Sequence, residues 1–475
     1  MVAEDGCLAF SRFGLGPRPG DLNRLGSDPA SALLDEIADP TSLFIDQPDL
    51  PDSVDAYTEL RRFQRARQLA KLQSTASENA AAPKPMDALL PKAVIAANGK
   101  VTVPGVPSPE DLMNAEIEAR LDRVLNVPVG FGERLVAFWT NHFAVQAAAN
   151  EIVRGLAGAF EREAIRPFVL GKFGDMALAV IQHPAMLTSL NNDVSVGPNS
   201  PQGRKTGKGL NENLGREFME LHTVGVDAGY TQTDVTSFAK VLTGWTYGRG
   251  ENEPENYGRF VFHKFAHEPG LQTVMGKLYP QPGVDQGLAV VADLVTNPAT
   301  AKHLAAQFAT YFVADVPPAA LVTRLADVFR KTKGDLRALT TALVKSPEAW
   351  STPASKLRTP QEFLWASARA LQFRPEASFI NRALGDLGEP LWNPPSPQGF
   401  KDDAATWLAP NAMTTRVDVA ELVASRAKGL DDPRDLATDL FGAGLSSDTR
   451  TAIDRAESRN QAIALLLMSP EFQRR

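Results

Sequence analysis

The stretch NENLGREFMELHTVGVDAGYTQTDVTSFAKVLTGW, residues 211–245, decides the fold class. With Asn213 as zero and about 100° per residue, Arg216, Glu217 and Glu220 fall near ~300°, ~40° and ~340°, one polar stripe with Asn213. Leu214, Phe218 and Leu221 fall between about 80° and 140°, an apolar face, and His222 falls near ~180°. In a regular helix His222 therefore does not complete a metal set with Glu217 and Glu220. It lies in the last turn before Gly225, a natural C′ residue, where an imidazole can bond free carbonyls. Thr231 followed by Asp234 has the form of a capping box with aspartate in place of glutamate, so a second helix starts after the turn at Gly229. The acidic stripe could ligate a cation, bind a polar substrate or supply an acid and a base. Its bland counterpart is a buried ion network neutralised by Arg216.

Upstream, helical spacing covers 110–126, 130–147 and 150–170, and residues 54–75 read as a charged helix. Within WTNHFAVQ, 139–146, Trp139 and Phe143 share a side, and the polar pair Asn141-His142 needs partners if buried. His183-Pro184 marks a turn whose ring can cap the preceding helix, and Asn191, Asn192 and Asp193 either offer oxygens to a cation or form an Asx-turn. Residues 76–108 lack a stable period and read as a flexible surface excursion, and 195–210 as a glycine- and serine-rich polar loop. Phe13-Gly14-Leu15-Gly16-Pro17 reads as a tight turn, since no GxxxxGK[ST] pattern accompanies it.

Downstream, 247–276 reads as a loop carrying an irregular, hairpin-like β element. Alternation there puts His263 on a strand, with His267 about 13 Å beyond it, too far for a shared metal. His303 reads as a satisfied helical histidine. Helices resume from 283 to 467, which makes the class mostly α: a large multi-helical domain with a small β insertion. NPPSPQGFKDDAATWL reads as a rigid turn before a helix, with Asp402 and Asp403 able to line a pocket.

Composition narrows the function classes. The chain has 475 residues with a formal charge of −7, and its basic residues are dispersed, which argues against nucleic acid as the main partner. Cys7 is the single cysteine, so an internal disulfide is excluded. No apolar run reaches the roughly 18 residues of a membrane span. The opening MVAEDGCLAFSRFGLG has no leader character, so the chain as written is expected in the cytoplasm, and exported if a leader precedes it. HExxH, GxSxG, the phosphate loop and the dinucleotide fingerprint are absent.

FWTNHFAVQ, HPAML, the 211–245 stretch, the HEPG turn, NPPSPQGF and LLLMSPEFQ together resemble the bacterial DUF1800 family, over almost the whole chain. The resemblance implies one helical domain over 1–475. Relatives carry the Asn-His of Asn141-His142, the Arg-Glu of Arg216-Glu217, the Glu-Leu-His-Thr of Glu220–Thr223 and the Leu-Thr-Gly-Trp of Leu242–Trp245. Where they have His-Asp, this chain has His267-Glu268. Many look exported and are encoded beside a family similar to sulfatases, which makes a sulfatase-like neighbour an expected partner.

Two functional expectations follow. In the first, the protein is a hydrolase-like enzyme acting on a polar or polymeric substrate. His142, Glu217, Glu220 and His267 are then catalytic, Asn141, Asn213, Arg216 and Trp245 bind substrate, and a divalent metal ion is the candidate cofactor. In the second, the same groups are satisfied buried networks of a non-catalytic helical scaffold, and the polar loops engage a protein partner. A carbohydrate platform would require Trp245, Trp392 and Trp407 to meet.

Overall fold

Helix starts follow the capping chemistry of the sequence. Ser108, Thr231 and Thr359 each accept the backbone N–H three residues on, and Asp111, Asp234 and Glu362 return the bond, so Pro109–Asn126, Gln232–Leu242 and Pro360–Ala370 begin in reciprocal capping boxes. Ser458 and Ser469 cap Arg459–Met468 and Pro470–Gln473. The Ser458 cap also divides the long helix expected over 447–467, whose first part ends at Asp454. The computed structural model describes residues 2–75, 90–96, 98–250, 254–427, 429 and 432–475. Over these residues the chain is mostly α-helical, with small antiparallel hairpins and no closed sheet.

The β insertion expected near 247–276 consists of two hairpins. Trp245–Tyr247 pairs with Phe260–Phe262, and Gln272–Val274 with Lys277–Tyr279. The first strand starts early because Gly244, at φ 81°, turns the chain out of the preceding helix; a Cβ there would lie 2.6 Å from the His263 carbonyl oxygen. A third hairpin pairs Val94–Ile95 with Val101–Thr102. It belongs to the stretch expected as a surface excursion, of which 76–89 lie outside the described residues. Beyond the hairpin, Val103 and Val106 pack on Phe63 and Ala66 of the helix Ser53–Thr75 as a small separate core.

The main core runs from Ala9 to Phe472 as one cluster of buried apolar residues. Several charged groups inside it are paired. Arg166 bridges Glu133 and Glu161, Arg162 holds Glu116, and Arg369 donates to the carbonyls of Gly16, Val124, Val127 and Pro128. Such pairing is what keeps desolvated charges tolerable. The Phe13–Pro17 turn is a packing turn, with Gly14 so close to Val129 that a Cβ would lie 2.6 Å from its carbonyl oxygen.

Two local expectations change. The helix opened by Asn213 is regular only to Glu217, and Phe218–His222 form a π turn, closed by Thr223 Oγ1 donating to the Phe218 carbonyl at 2.6 Å. The cap expected from His222 is not made: the ring is fully buried and neither nitrogen has a hydrogen-bond partner among the described residues. His183 caps the following helix, not the preceding one, because its Nδ1 accepts the N–H of Ala185 at 3.1 Å.

Candidate active site

A crevice opens where the helices Phe131–His142 and Pro360–Ala370 meet the turn between Leu387 and Ala404. The turn is fixed by one side chain. Asn141 Nδ2 donates to the Phe400 carbonyl at 3.0 Å, and its Oδ1 accepts the Phe400 N–H at 2.7 Å. Gly399, at φ 81°, permits this approach, since a Cβ would lie 2.5 Å from the Asn141 carbonyl oxygen. Trp392, buried, is anchored by Nε1 donating to Glu161 Oε2 at 3.0 Å.

Four carboxyl groups line the crevice: Glu133, already bridged by Arg166, Glu362 from the helix start, and Glu389 and Asp402 from the two sides of the turn. Glu362 is clasped by cations. Arg134 pairs with its Oε1, and Arg475 Nε lies 2.6 Å from its Oε2. Burial alone would raise Glu362, but these guanidinium groups outweigh it and hold the carboxyl below its ordinary range. Asp402 is pushed up to about 6 by burial, although Arg475 Nη2 and Lys356 Nζ lie 2.5 and 3.1 Å from its oxygens. Among the described residues no cation is bonded to Glu389. Burial pushes it up to about 8, against bonds from the Gln361 N–H at 2.8 Å and the Thr359 hydroxyl.

At pH 7 Glu389 therefore carries a proton while Asp402 and Glu362 are ionised. A proton donor and a proton acceptor in one crevice are what general acid–base chemistry needs. The free space is about 60 Å³, and a water needs about 10–15 Å³ on this measure, so a few waters or one small polar group fit. Lys401, exposed, stands at the mouth.

Asp402 and Trp392, weighed in the sequence as pocket and platform residues, line this crevice, and of the residues assigned to catalysis or substrate binding only Asn141 does. His142, one position on, faces the core, stacked on Phe138 and near His222. Its Nε2 lies 3.2 Å from the His222 carbonyl and its Nδ1 3.0 Å from Gln307 Oε1, both acceptor oxygens, so the single hydrogen of a neutral ring serves one of them. Burial, reinforced by His303, lowers it to about 3, so the ring is neutral throughout the physiological range.

Glu217 and Glu220 do share a stripe with Arg216, yet Arg216 pairs elsewhere, with Glu212 at 3.0 Å and Gln232 at 2.9 Å. Glu217 is half-buried and raised by burial and by Glu220, which also bonds the Tyr230 hydroxyl. Asn213 is exposed, its N–H bonded to Asn211 Oδ1. Trp245 is fully buried edge-on to Phe260. Trp392 and Trp407 are buried among other partners, Glu161 and the Lys401 carbonyl. His267 is lowered by burial, with Nδ1 3.0 Å from the Thr243 carbonyl. Asn192 donates to the carbonyls of Leu242 and Trp245, and Asp193 pairs with Arg249. His263 is exposed, and His303 is satisfied as expected, its Nε2 3.0 Å from the Leu221 carbonyl.

Sequence reasoning reached Asp402 as a pocket residue and missed Arg134, Glu362, Glu389 and Arg475. Thr359-Pro-Gln-Glu362 was available as a capping box, a signal that locates Glu362 at a helix start without revealing what it faces. Among the described residues no group of three or more His, Cys, Asp or Glu side chains is placed to hold a metal ion. None of their helices is long and apolar enough to cross a membrane. A family model described as "Protein of unknown function (DUF1800)" matches residues 8–474. No curated protein and no solved structure matches the chain.

Proposed function

The chain belongs to the DUF1800 family, a description that carries no reaction, and we propose from the crevice that it is a hydrolase acting on a small polar group. Asp402 takes a proton from a water as that water attacks, and Glu389 gives its proton to the departing group. The cycle leaves Asp402 protonated and Glu389 ionised, and exchange with solvent restores both. The observation that carries this reading is that two buried carboxyl groups of one crevice have unlike surroundings: Asp402 faces Arg475 and Lys356, while Glu389 is held by the Gln361 N–H, and burial raises it further. Glu362, neutralised by Arg134 and Arg475, positions the cations and takes no proton. The small free volume limits a polymeric substrate to presenting a terminal or side group.

The test is turnover of chromogenic esters, amides and glycosides by the purified protein, beside Glu389→Gln and Asp402→Asn. Hydrolysis lost in both folded variants supports the assignment. No turnover by wild type moves the weight to the scaffold reading, in which the crevice is a hydrated part of the buried charge network.

Glu217 favours a second reading. Its half-buried carboxyl has no hydrogen-bond or ion-pair partner among the described residues, and it sits beside Glu220. Such a pair would bind a cation or a polar substrate at the protein surface. Metal analysis of protein purified without chelator, compared with Glu217→Ala, separates this from the crevice reading.

A further inference from the structure

The polar loop 195–210, the Leu-Thr-Gly-Trp phrase and the His-Glu-Pro-Gly turn take no part in the crevice, yet they build one feature together. They wall an open groove of about 400 Å³, lined by Lys208, Arg249, His263, Tyr247 and Asp193. The wall is held from inside the protein. Glu268, buried, accepts the Asn199 N–H at 2.9 Å and its side-chain amide at 2.7 Å, while its own N–H donates to Thr243 Oγ1 at 2.8 Å. Two backbone bonds close the loop onto the turn, Gly197 N–H to the Ala266 carbonyl and Gln202 N–H to the Phe265 carbonyl.

The charges in this groove are arranged for an anion. Arg249 lies over the Tyr247 ring with 4.6 Å from guanidinium carbon to ring centroid, is tethered by Asp193, and remains 40% exposed. Lys208 and His263 are exposed in the groove, and Lys205 and Lys264 flank it. Among the described residues none of these lysines pairs with a carboxylate. A guanidinium stacked on an aromatic ring and an exposed ammonium from the polar loop suit a ligand with two anionic groups.

We propose that this groove binds a short oligoanion bearing phosphate, sulfate or carboxylate groups, with Arg249 and Lys208 each taking one of them. The net negative charge of the protein, −7, favours a short ligand seated locally over a long polyanion laid along the surface. The groove stands independently of the hydrolase reading, since no residue is shared with the crevice.

Calorimetric titration with inorganic pyrophosphate and with citrate tests the proposal on the full chain. Saturable binding to wild type, weakened by roughly tenfold in both Lys208→Gln and Arg249→Gln, is the expected result. Pyrophosphate binding without citrate binding assigns the site to phosphate-type anions, and the reverse to carboxylates. Because Arg249→Gln releases Asp193, the exposed Lys208→Gln is the deciding variant. Binding that is absent in wild type, or unchanged in Lys208→Gln, overturns the proposal. So does equal attraction to a single-stranded oligonucleotide that vanishes at moderate salt, the mark of a diffuse surface field.

Discussion

Asn141 treats Phe400 as a neighbouring strand would, donating to its carbonyl at 3.0 Å and accepting its N–H at 2.7 Å through one side-chain amide. A residue of the WTNH phrase thereby fixes the NPPSPQGF turn and with it the mouth of the crevice. Asn141→Ala leaves both Phe400 groups without a partner and is expected to cost about 1–3 kcal/mol. Urea denaturation measures the loss, and faster amide exchange at Phe400 locates it.

Gly399→Ala attacks the same contact from the other side. It forces a Cβ onto a φ of 81° and against the Asn141 carbonyl oxygen. A loss of about 1–3 kcal/mol from backbone strain is expected, with the clash adding to it. A melting temperature equal to wild type would show that the turn has another conformation within reach.

Glu389 makes stability depend on pH with a definite sign. Its folded value near 8 lies above the ordinary glutamate value of about 4.5, so between these limits the folded state holds more protons than the unfolded state. Stability from this group is complete below about pH 4.5 and is lost as pH rises through about 8, at about 1.4 kcal/mol per unit of separation. Glu389→Gln removes the dependence. It is expected to match wild type near pH 4 and to be more stable by a few kcal/mol near pH 9. A variant less stable than wild type at high pH would contradict a protonated Glu389.

Arg475 stands between Glu362 and Asp402. Arg475→Met strips one countercharge from each and is expected to destabilise by about 3–5 kcal/mol at neutral pH. The loss shrinks in acid, where the carboxyls take up protons, so melting temperatures of the two proteins should converge as pH falls.

His142 is expected to stay neutral across the physiological range. Its imidazole nitrogen shifts, followed by NMR from about pH 5 to 8, should not move, because burial lowers its pKa to about 3. A titration centred near the ordinary value of about 6.5 would place the ring in solvent.

Local chemistry made most helices legible: caps such as Ser108 with Asp111 and Thr231 with Asp234 are written within four residues. The β insertion was legible from alternation, although its first strand begins at Trp245 because of one glycine. The π turn at Phe218–His222 was not, since a changed hydrogen-bond partner leaves no mark in residue type. The polar stripe at 213–220 could be drawn on a wheel, but the partner of Arg216 is Gln232 as well as Glu212, and the turn at 225–229 sets that meeting. Glu389 and Arg475 were invisible because their properties come from burial among distant segments, which no local pattern encodes.

Arg134 and Arg475, which share the charge of Glu362, are far apart in the order in which a ribosome makes this chain. A nascent chain whose 470–475 segment is still in the exit tunnel has only one of the two guanidinium groups for Glu362 and none for Asp402 Oδ1. Its core must then hold protonated carboxyls or stay loose and hydrated. Consolidation of this cluster therefore waits for the segment that carries Arg475, so chains stalled or clipped before it should remain open to cellular proteases.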